Sequence, residues 1–487
     1  MDRPDDLFDR EREWHDLVAF ATSRGPGTRL AIVRGRRRQG KSFLLRRLAA
    51  ASGGFYYQAV TEERVQALSS LGAALGAHLG VPGGRLAFAS WDDALEALSS
   101  IPGSRAPLVV IDEFPYLLAH SPELPSVLQR FIDRSRDGGP TLRLVLCGSA
   151  LTVMAQLLAG PQALRGRASH DLVIDAFDYR TAAQYWDIDD PTTAFRVHAV
   201  LGGTPGYRDL LTHHRPTRVR DFDAWLAAGP LDPASALFRE TDYLLAEEPT
   251  ITDRALYHSV LAAIADGHHT QSGIAAALGR SQVAVQHPLR ALEEVGFIIR
   301  RDDQLRSRRP LYSIADPIVR FHHVVTRRDI ARFEDRRTEL AWTDAQPRFS
   351  THVLGPHFEQ LAREFSFRFA SANTLGGTAA TVGPAVVNDA KKRAQHELDV
   401  VVLGREPHGA SRVLALGEAK HTTARRTLHD LDRLDHIRTI VAAKHPTAAD
   451  AKVLLFSATG FDAPLRRKAA ERGDIELVDL DRIYRGD

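Results

Sequence analysis

The sequence predicts an α/β protein of several domains: a helix-covered parallel sheet, a helical region, a winged helix-turn-helix, and a second α/β unit. Three observations predict this. From Leu30 to about Val200, short β-type runs alternate with longer helical stretches, the signature of a parallel sheet covered by helices. Between about 254 and 325, three amphipathic helical stretches precede two short β-type runs, the order of a winged helix-turn-helix. Beyond about 350 a new series of strands begins, with helical segments between them.

The chain has 487 residues, more than one hydrophobic core usually supports, so two to four domains are expected. Hydrophobic residues make up 44% and charged residues 25%, which suits a soluble globular protein and argues against global disorder. Cys147 is the single cysteine and cannot form an intrachain disulfide. The first residues are charged rather than apolar, so no secretory signal is expected and a cytoplasmic location is. No apolar run reaches the ~18 residues that span a bilayer, so no membrane role is expected. A net charge of +2 leaves nucleic-acid binding open, because binding depends on where basic residues cluster.

Taken in order, the apolar strands of the first region are Leu30–Val33, Leu108–Ile111 and Leu142–Leu146, each followed by a polar or glycine-containing turn. The helical stretches of the middle region are Ala255–Ala265, Ile274–Leu278 and Gln282–Glu294, with Phe297–Arg300 and Leu311–Ile314 as the hairpin. A charged stretch to about Pro347 reads as a linker helix. The last strands are Leu398–Leu403, Val413–Leu416, Val453–Ser457 and Ile475–Leu480, with helices near 354–369, 423–437 and 462–473. The expected boundaries are therefore 1–200, 201–253, 254–325, 326–349 and 350–487.

Gly35-Arg-Arg-Arg-Gln-Gly40-Lys41-Ser42 matches GxxxxGK[ST], directly after one strand and before a helical run. Its glycines let backbone N–H groups close around phosphate oxygens. Lys41 would reach the terminal phosphates, and Ser42 would offer its hydroxyl to a magnesium ion. Arg38, Gln39 and Phe43 complete the expected nucleotide-binding set around Gly35 and Gly40. The strand Leu108–Ile111 ends in Asp112-Glu113, which suits an aspartate that organises magnesium and a glutamate that polarises water. Ser149, at the end of the third strand, is either a γ-phosphate contact or a simple turn serine.

On these residues the first 210 positions resemble the AAA/STAND-type P-loop ATPases, especially the archaeal-type ATPase family. Phe8-Asp-Arg-Glu11, the phosphate loop, Asp112-Glu113, Ser149 and Gly202-Gly-Thr-Pro205 carry the resemblance. It implies that Arg10 and Pro205 help to hold the base and that ATP and magnesium are the cofactors. Arg165 and Arg167 resemble arginines that sense the γ-phosphate; a surface loop is the alternative.

The third helix of the middle region exposes Gln282, Gln286 and Arg290, and Arg300, Arg301, Arg306, Arg308 and Arg309 make the wing basic. Such a cluster favours a nucleic-acid backbone through counterion release, so DNA is the expected partner. A protein-packing module is the alternative.

In the last region Asp399 begins one strand, and the next runs into Gly417-Glu418-Ala-Lys420. Alternation puts Glu418 and Lys420 on one face, where Asp399 and Glu418 can hold magnesium while Lys420 acts on water against a phosphodiester. About residues 350–487 resemble the PD-(D/E)xK, or restriction-endonuclease-like, superfamily, with Leu398 where the pattern has proline. Glu359 resembles an additional acidic residue of that site. The preferred expectation is an ATPase coupled to a magnesium-dependent nuclease, and family analogy adds defence against foreign DNA as its setting. The competing expectations are a nucleotide-switched DNA-binding regulator and a STAND-like scaffold that oligomerises with itself on sensing a protein trigger.

Overall fold

The computed structural model describes residues 1–81, 84, 86–211, 215–306, 310–405 and 411–487. The chain forms two compact units: Met1–Ala176 with Thr204–Gly206 and Leu244–Thr252, and Phe177–Gly203 with Tyr207–Tyr243 and Asp253–Asp487.

Five parallel strands make the sheet of the first unit: β1 (Arg29–Arg34), β2 (Phe55–Gln58), β3 (Leu108–Asp112), β4 (Arg143–Gly148) and β5 (Ala168–Val173), ordered β2-β3-β4-β1-β5. The three central strands are apolar at consecutive positions because both faces are covered. Leu30, Ile32, Val109, Ile111, Leu144 and Leu146 enter one core, and Ala31, Val33, Val110, Val145 and Cys147 enter the other. This order sets the carboxyl ends of β3, β4 and β1 side by side, and the phosphate loop leaves β1 there. The two strands that the sequence does not announce are the outer ones. β2 has only four residues, and β5 (ASHDLV) is an edge strand that alternates between half-buried and exposed positions.

In the second unit, helices Arg254–Ala265, Gln271–Ala277 and Gln282–Glu294 lie at the predicted places. Asp253, Thr270 and Ser281 cap them, each side-chain oxygen accepting a bond from a first-turn amide. The hairpin of β6 (Ile298–Asp302) and β7 (Pro310–Ile314) follows and is antiparallel.

The final sheet is mixed, ordered β12-β11-β10-β9-β8, with β8 Thr381–Asp389, β9 Ala394–Arg405, β10 Ser411–Lys420, β11 Lys452–Ser457 and β12 Ile475–Asp479. β10 pairs antiparallel with β9 and parallel with β11. Helix Leu428–Ala442 covers one face through Leu431, Leu434, Ile437 and Val441. β8 lies outside the expected strands because Gly383 and Pro384 interrupt it, which an edge strand tolerates.

Two boundaries differ from expectation. Phe177–Gly203, expected to divide at residue 200 between the first domain and the helical region, packs as a whole within the second unit. There the Phe195 ring lies 5.6 Å from His357 and 5.9 Å from Phe358, and a Cβ on Gly202 would stand 3.2 Å from the Pro317 ring. The expected linker 326–349 is instead two helices, Ile330–Glu334 and Thr338–Phe349, whose Ala341, Trp342, Ala345 and Phe349 are buried. Ala341, Ala345 and Phe349 recur one turn apart with Trp342 beside them, which makes this segment part of the core. No helix among the described residues is long and apolar enough to cross a membrane.

Candidate functional site

The loop after β1 is shaped by two glycines. Gly35 lies against the carbonyl of Ile174, where a side chain has no room. Gly40 takes a left-handed conformation, φ 88°, and turns the chain into helix Lys41–Ser52, so amide groups of the loop and first turn point one way. Arg38 is also left-handed, φ 68°, and its carbonyl accepts a 3.0 Å bond from the amide of Gly206. Gln39 turns inward and accepts a 2.6 Å bond from the Arg36 amide, so it braces the loop from within.

Lys41 is 5% exposed and donates to the Arg36 carbonyl at 2.8 Å. Burial pushes its ammonium pKa down. A buried lysine that donates to a backbone oxygen is poised to exchange that neutral partner for an anion.

Asp112 is wholly buried at the end of β3. Burial alone would raise its pKa, but hydrogen bonds from Ser42, Tyr56, Cys147 and the Glu113 amide outweigh it and hold the carboxyl below its ordinary range. Tyr56 donates at 2.6 Å and the Glu113 amide at 2.9 Å. The next residue, Glu113, is left-handed at φ 52°, a strained state for a residue with a side chain, and it begins helix Phe114–His120. Its pKa is raised, first by burial and then by the charge of Asp112. Ser149 donates to Glu113 Oε2 at 3.4 Å. Thus Ser42 and Asp112 form one pair and Ser149 and Glu113 another, beside Lys41.

The remaining positions separate. Pro205 lies 4.0 Å from the place of a Cβ on Gly40, so the Thr204–Gly206 element touches the phosphate loop itself. Arg10 is buried and donates to the carbonyls of Gln39 and Asp175 at 3.3 and 2.6 Å and to Glu13 at 3.0 Å. It clamps the loop to the end of the sheet. Phe43 is exposed on the first helical turn, with the Arg47 guanidinium 5.0 Å from its ring. Arg167 is not brought to the loop of its own chain. It precedes β5, whose first residue pairs with Leu30 at the amino end of β1, and it is held by Asp133 at 2.8 Å. Arg165 sits beside it and donates to Gly160.

Two glutamates escaped the sequence reading. Glu247 is ion-paired with Arg37 of the phosphate loop, and its charge reaches Lys41 and Glu113. Glu248 is buried and accepts from the Leu151 amide and the Thr152 hydroxyl, both at 3.0 Å. The acidic pair before Pro249 was the visible signal, but only the fold returns that segment to the loop.

In the second unit, Asp399 Oδ2 accepts from the Ala419 amide at 2.8 Å, and Lys420 Nζ lies 3.5 Å from Glu418 Oε1. The Asp399 carboxyl is pushed well above its ordinary range by burial, and by the charges of Glu359 and then Glu418. Glu359 is half-exposed and 3.6 Å from Arg363. Glu418 is held below its ordinary range: burial opposes ionisation, and Arg426 leads Lys420 and Arg433 in outweighing it. Arg426, its side chain 2% exposed, binds Glu418 at 2.7 Å and Asp430 at 3.2 Å, and Arg433 binds the other Glu418 oxygen. Asp399, Glu418 and Glu359 do not gather closely enough to count among the three-ligand groups of the described residues. Arg426, Asp430 and Arg433 were not singled out from the sequence; Asp430 and Arg433 lie on helix Leu428–Ala442, and Arg426 just before it.

On the middle helices, Gln282, Gln286 and Arg290 are exposed, with Arg290 paired to Glu294 at 2.8 Å. Arg300 is exposed beside Asp302, and Arg306 is half-buried. Arg301, expected in the basic wing, turns inward: burial lowers its pKa to about 9, and it donates to Ser313 at 3.2 Å. Arg308 and Arg309 lie outside the described residues. The two residues that follow β6 are docked on β8. Asp303 accepts from the Val386 amide at 2.9 Å, Gln304 accepts from Thr381 at 2.8 Å, and the Gln304 amide donates to Pro384 at 3.0 Å.

Comparison with known proteins adds three relatives. An uncharacterized protein of Methanocaldococcus jannaschii is 23% identical over 355 residues, 71% of this chain and 74% of that one. The Walker-type ATPase of Pyrococcus abyssi is 22% identical, over 66% of this chain and 97% of that one, with a TM-score of 0.49. The ORC2 protein of Aeropyrum pernix, solved in ADPNP–ADP complexes, is 18% identical over 71% and 96%, with a TM-score of 0.39. Residues 7–192, which hold the phosphate loop, Asp112-Glu113 and Ser149, match the model of an ATPase domain found predominantly in Archaea.

Proposed function

We propose that this protein binds ATP with magnesium at the loop Gly35–Ser42 and hydrolyses it with Glu113 as the group that polarises water. The observation that carries this is the buried Lys41, held by a carbonyl of its own loop, beside an aspartate kept ionised and a glutamate whose pKa is raised. Residues able to hold the metal are Ser42, through its hydroxyl, and Asp112, through its carboxylate. They fit: the hydroxyl already bonds to Asp112, whose charge is stabilised by Tyr56 and the Glu113 amide. Magnesium would supply charge neutralisation across the phosphates. The loop amides bind and orient the triphosphate, and Lys41 meets its terminal charge. Raised pKa values suit a group that must take a proton near neutral pH, which favours Glu113 over Asp112 as the base. Titration with labelled ATP and magnesium tests the reading. Saturable binding lost on Lys41→Ala is the expected result, and well-folded protein that takes up no nucleotide overturns it.

A second reading concerns the final mixed sheet, as a magnesium-dependent nuclease of the PD-(D/E)xK kind. It is favoured by the crowding of Asp399 with Glu359 and Glu418, a carboxyl group whose neighbours call for a cation, and by Lys420 close to Glu418. The fit to magnesium is partial, because both Glu418 oxygens are already paired with arginines, and the half-buried Arg433 would have to move aside. Cleavage of DNA in magnesium, lost on Asp399→Asn and Lys420→Ala, supports the reading; bound but uncut DNA favours a nucleotide-switched regulator. The three helices and hairpin read as a winged helix, with Gln282, Gln286, Arg290, Arg300 and Arg306 as its DNA-facing set. The docking of Asp303 and Gln304 supports a packing role for the wing. Defence against foreign DNA, self-assembly and a protein trigger follow from the resemblance alone.

A further inference from the structure

A cluster of histidines in the second unit takes no part in either site. Asp242, on helix Glu240–Ala246, presents Oδ1 3.3 Å from His258 Nε2, on helix Arg254–Ala265, and 4.0 Å from His322 Nε2. The three atoms lie within 4.8 Å of one another. His322 opens a π-helical turn, His322–Thr326, an irregularity that recurs at functional sites.

Ordinary packing accounts poorly for these side chains. His258 is 8% exposed and His322 is 3% exposed, yet His322 Nε2 and His258 Nδ1 have no hydrogen-bond partner among the described residues. An imidazole nitrogen buried without a partner costs free energy, so three elements converging to leave one orphaned requires a reason. Burial keeps the His322 imidazole neutral, with a lone pair on the ring. Asp242 is the outer member, its side chain 38% exposed, so the cluster opens toward solvent on the carboxylate side.

We propose that Asp242, His258 and His322 form a binding site for a divalent transition-metal ion of the zinc class. Two imidazole nitrogens and one carboxylate oxygen are a donor set that zinc accepts at about 2.0–2.2 Å, and atoms at that radius around a tetrahedral ion stand about 3.4 Å apart. The 3.3 Å separation already matches that geometry, and the 4.0 Å separation must close by about 0.6 Å to reach it. Three protein ligands leave a coordination position for water. Asp389, His396 and His436 form another such group among the described residues. There the His436 side chain is 38% exposed, whereas those of His258 and His322 are 10% and 4% exposed, so the first group is the more enclosed.

The test uses the full-length protein, stripped with chelator, incubated with zinc in the absence of nucleotide and dialysed. Wild type and Asp389→Asn are expected to retain one zinc per chain, and Asp242→Asn and His322→Gln to lose it. Cobalt(II) in place of zinc should give the intense visible bands of a tetrahedral site. No retained zinc in wild type, or loss in Asp389→Asn with retention in Asp242→Asn, overturns the proposal. Should the Asp242 and His322 variants fail to fold, X-ray absorption on zinc-loaded Asp389→Asn decides. A shell with two imidazoles supports the site, and an oxygen-only shell overturns it.

Discussion

A Cβ on Gly35 would lie 2.3 Å from the carbonyl oxygen of Ile174. The phosphate loop therefore rests directly on the chain leaving β5, whose Ile174 amide donates to Arg34 at 2.8 Å. Gly35→Ala must push backbone from backbone, which costs about 1–3 kcal/mol. A lowered melting midpoint is expected together with ATP binding weakened by at least roughly tenfold, since 1.4 kcal/mol is one decade. Calorimetric titration of the folded variant checks it, and unchanged affinity would show that the loop can tilt.

Glu113→Gln keeps the size of the side chain and its reach to Ser149 but removes the base. ATP should still bind, and turnover should fall by about 10²–10⁴-fold. Steady-state hydrolysis beside equilibrium binding separates the two effects. A variant that hydrolyses at the wild-type rate assigns the proton to another group.

Glu247 faces Arg37 and adds negative charge beside Lys41. The ATP phosphates are negative too, so Glu247→Ala should tighten ATP binding several-fold. The pair is partly exposed, so stability should change by less than about 1 kcal/mol. Weaker binding in the variant would mean that Glu247 holds Arg37 in its productive place.

Arg426 is buried against Glu418 and Asp430. Arg426→Ala leaves two carboxylates without their inner cation, and losing one partner of such a pair costs about 3 kcal/mol or more. Arg433 and Lys420 remain beside Glu418, which places the expected loss at the lower end. Chemical denaturation measures it, and a neutral result would show that the two remaining cations suffice.

His198 Nδ1 and His357 Nε2 are 3.0 Å apart. Burial holds His198 at about 4 and His357 well below the ordinary value. The unfolded chain, with histidine near 6.5, therefore binds more protons than the folded chain at acidic pH. Stability contributed by the pair is present above about 6.5 and is lost as pH falls toward 4. Denaturation midpoints across that window should decline, with a shallower slope in His198→Gln.

Legibility in the sequence followed how local the cause was. Gly35 to Ser42 and Asp112-Glu113 could be read because a tight anion-binding turn and a buried strand end each depend on adjacent residues. Helix Gln282–Glu294 was readable because its apolar spacing and its terminal glycine are contiguous. β2, β5 and β8 were not, because short or edge strands owe their form to a neighbour's hydrogen bonds. Arg10 illustrates the same limit in a side chain: its place near the loop was expected, but its role as a clamp on two carbonyls depends on chain 29 and 165 residues away.

By itself the sequence determined the chemistry on offer: a phosphate loop between a strand and a helix, carboxylates at strand ends, and amphipathic helices in the middle region. The tertiary structure alone decided which of those groups meet. It returned Glu247 to Arg37, surrounded Glu418 with Arg426 and Arg433, removed Arg167 to the far end of the sheet, and gathered Asp242, His258 and His322. Backbone propensity and periodicity act over a few residues, whereas the burial and charge that set these side chains' states come from chain distant in sequence.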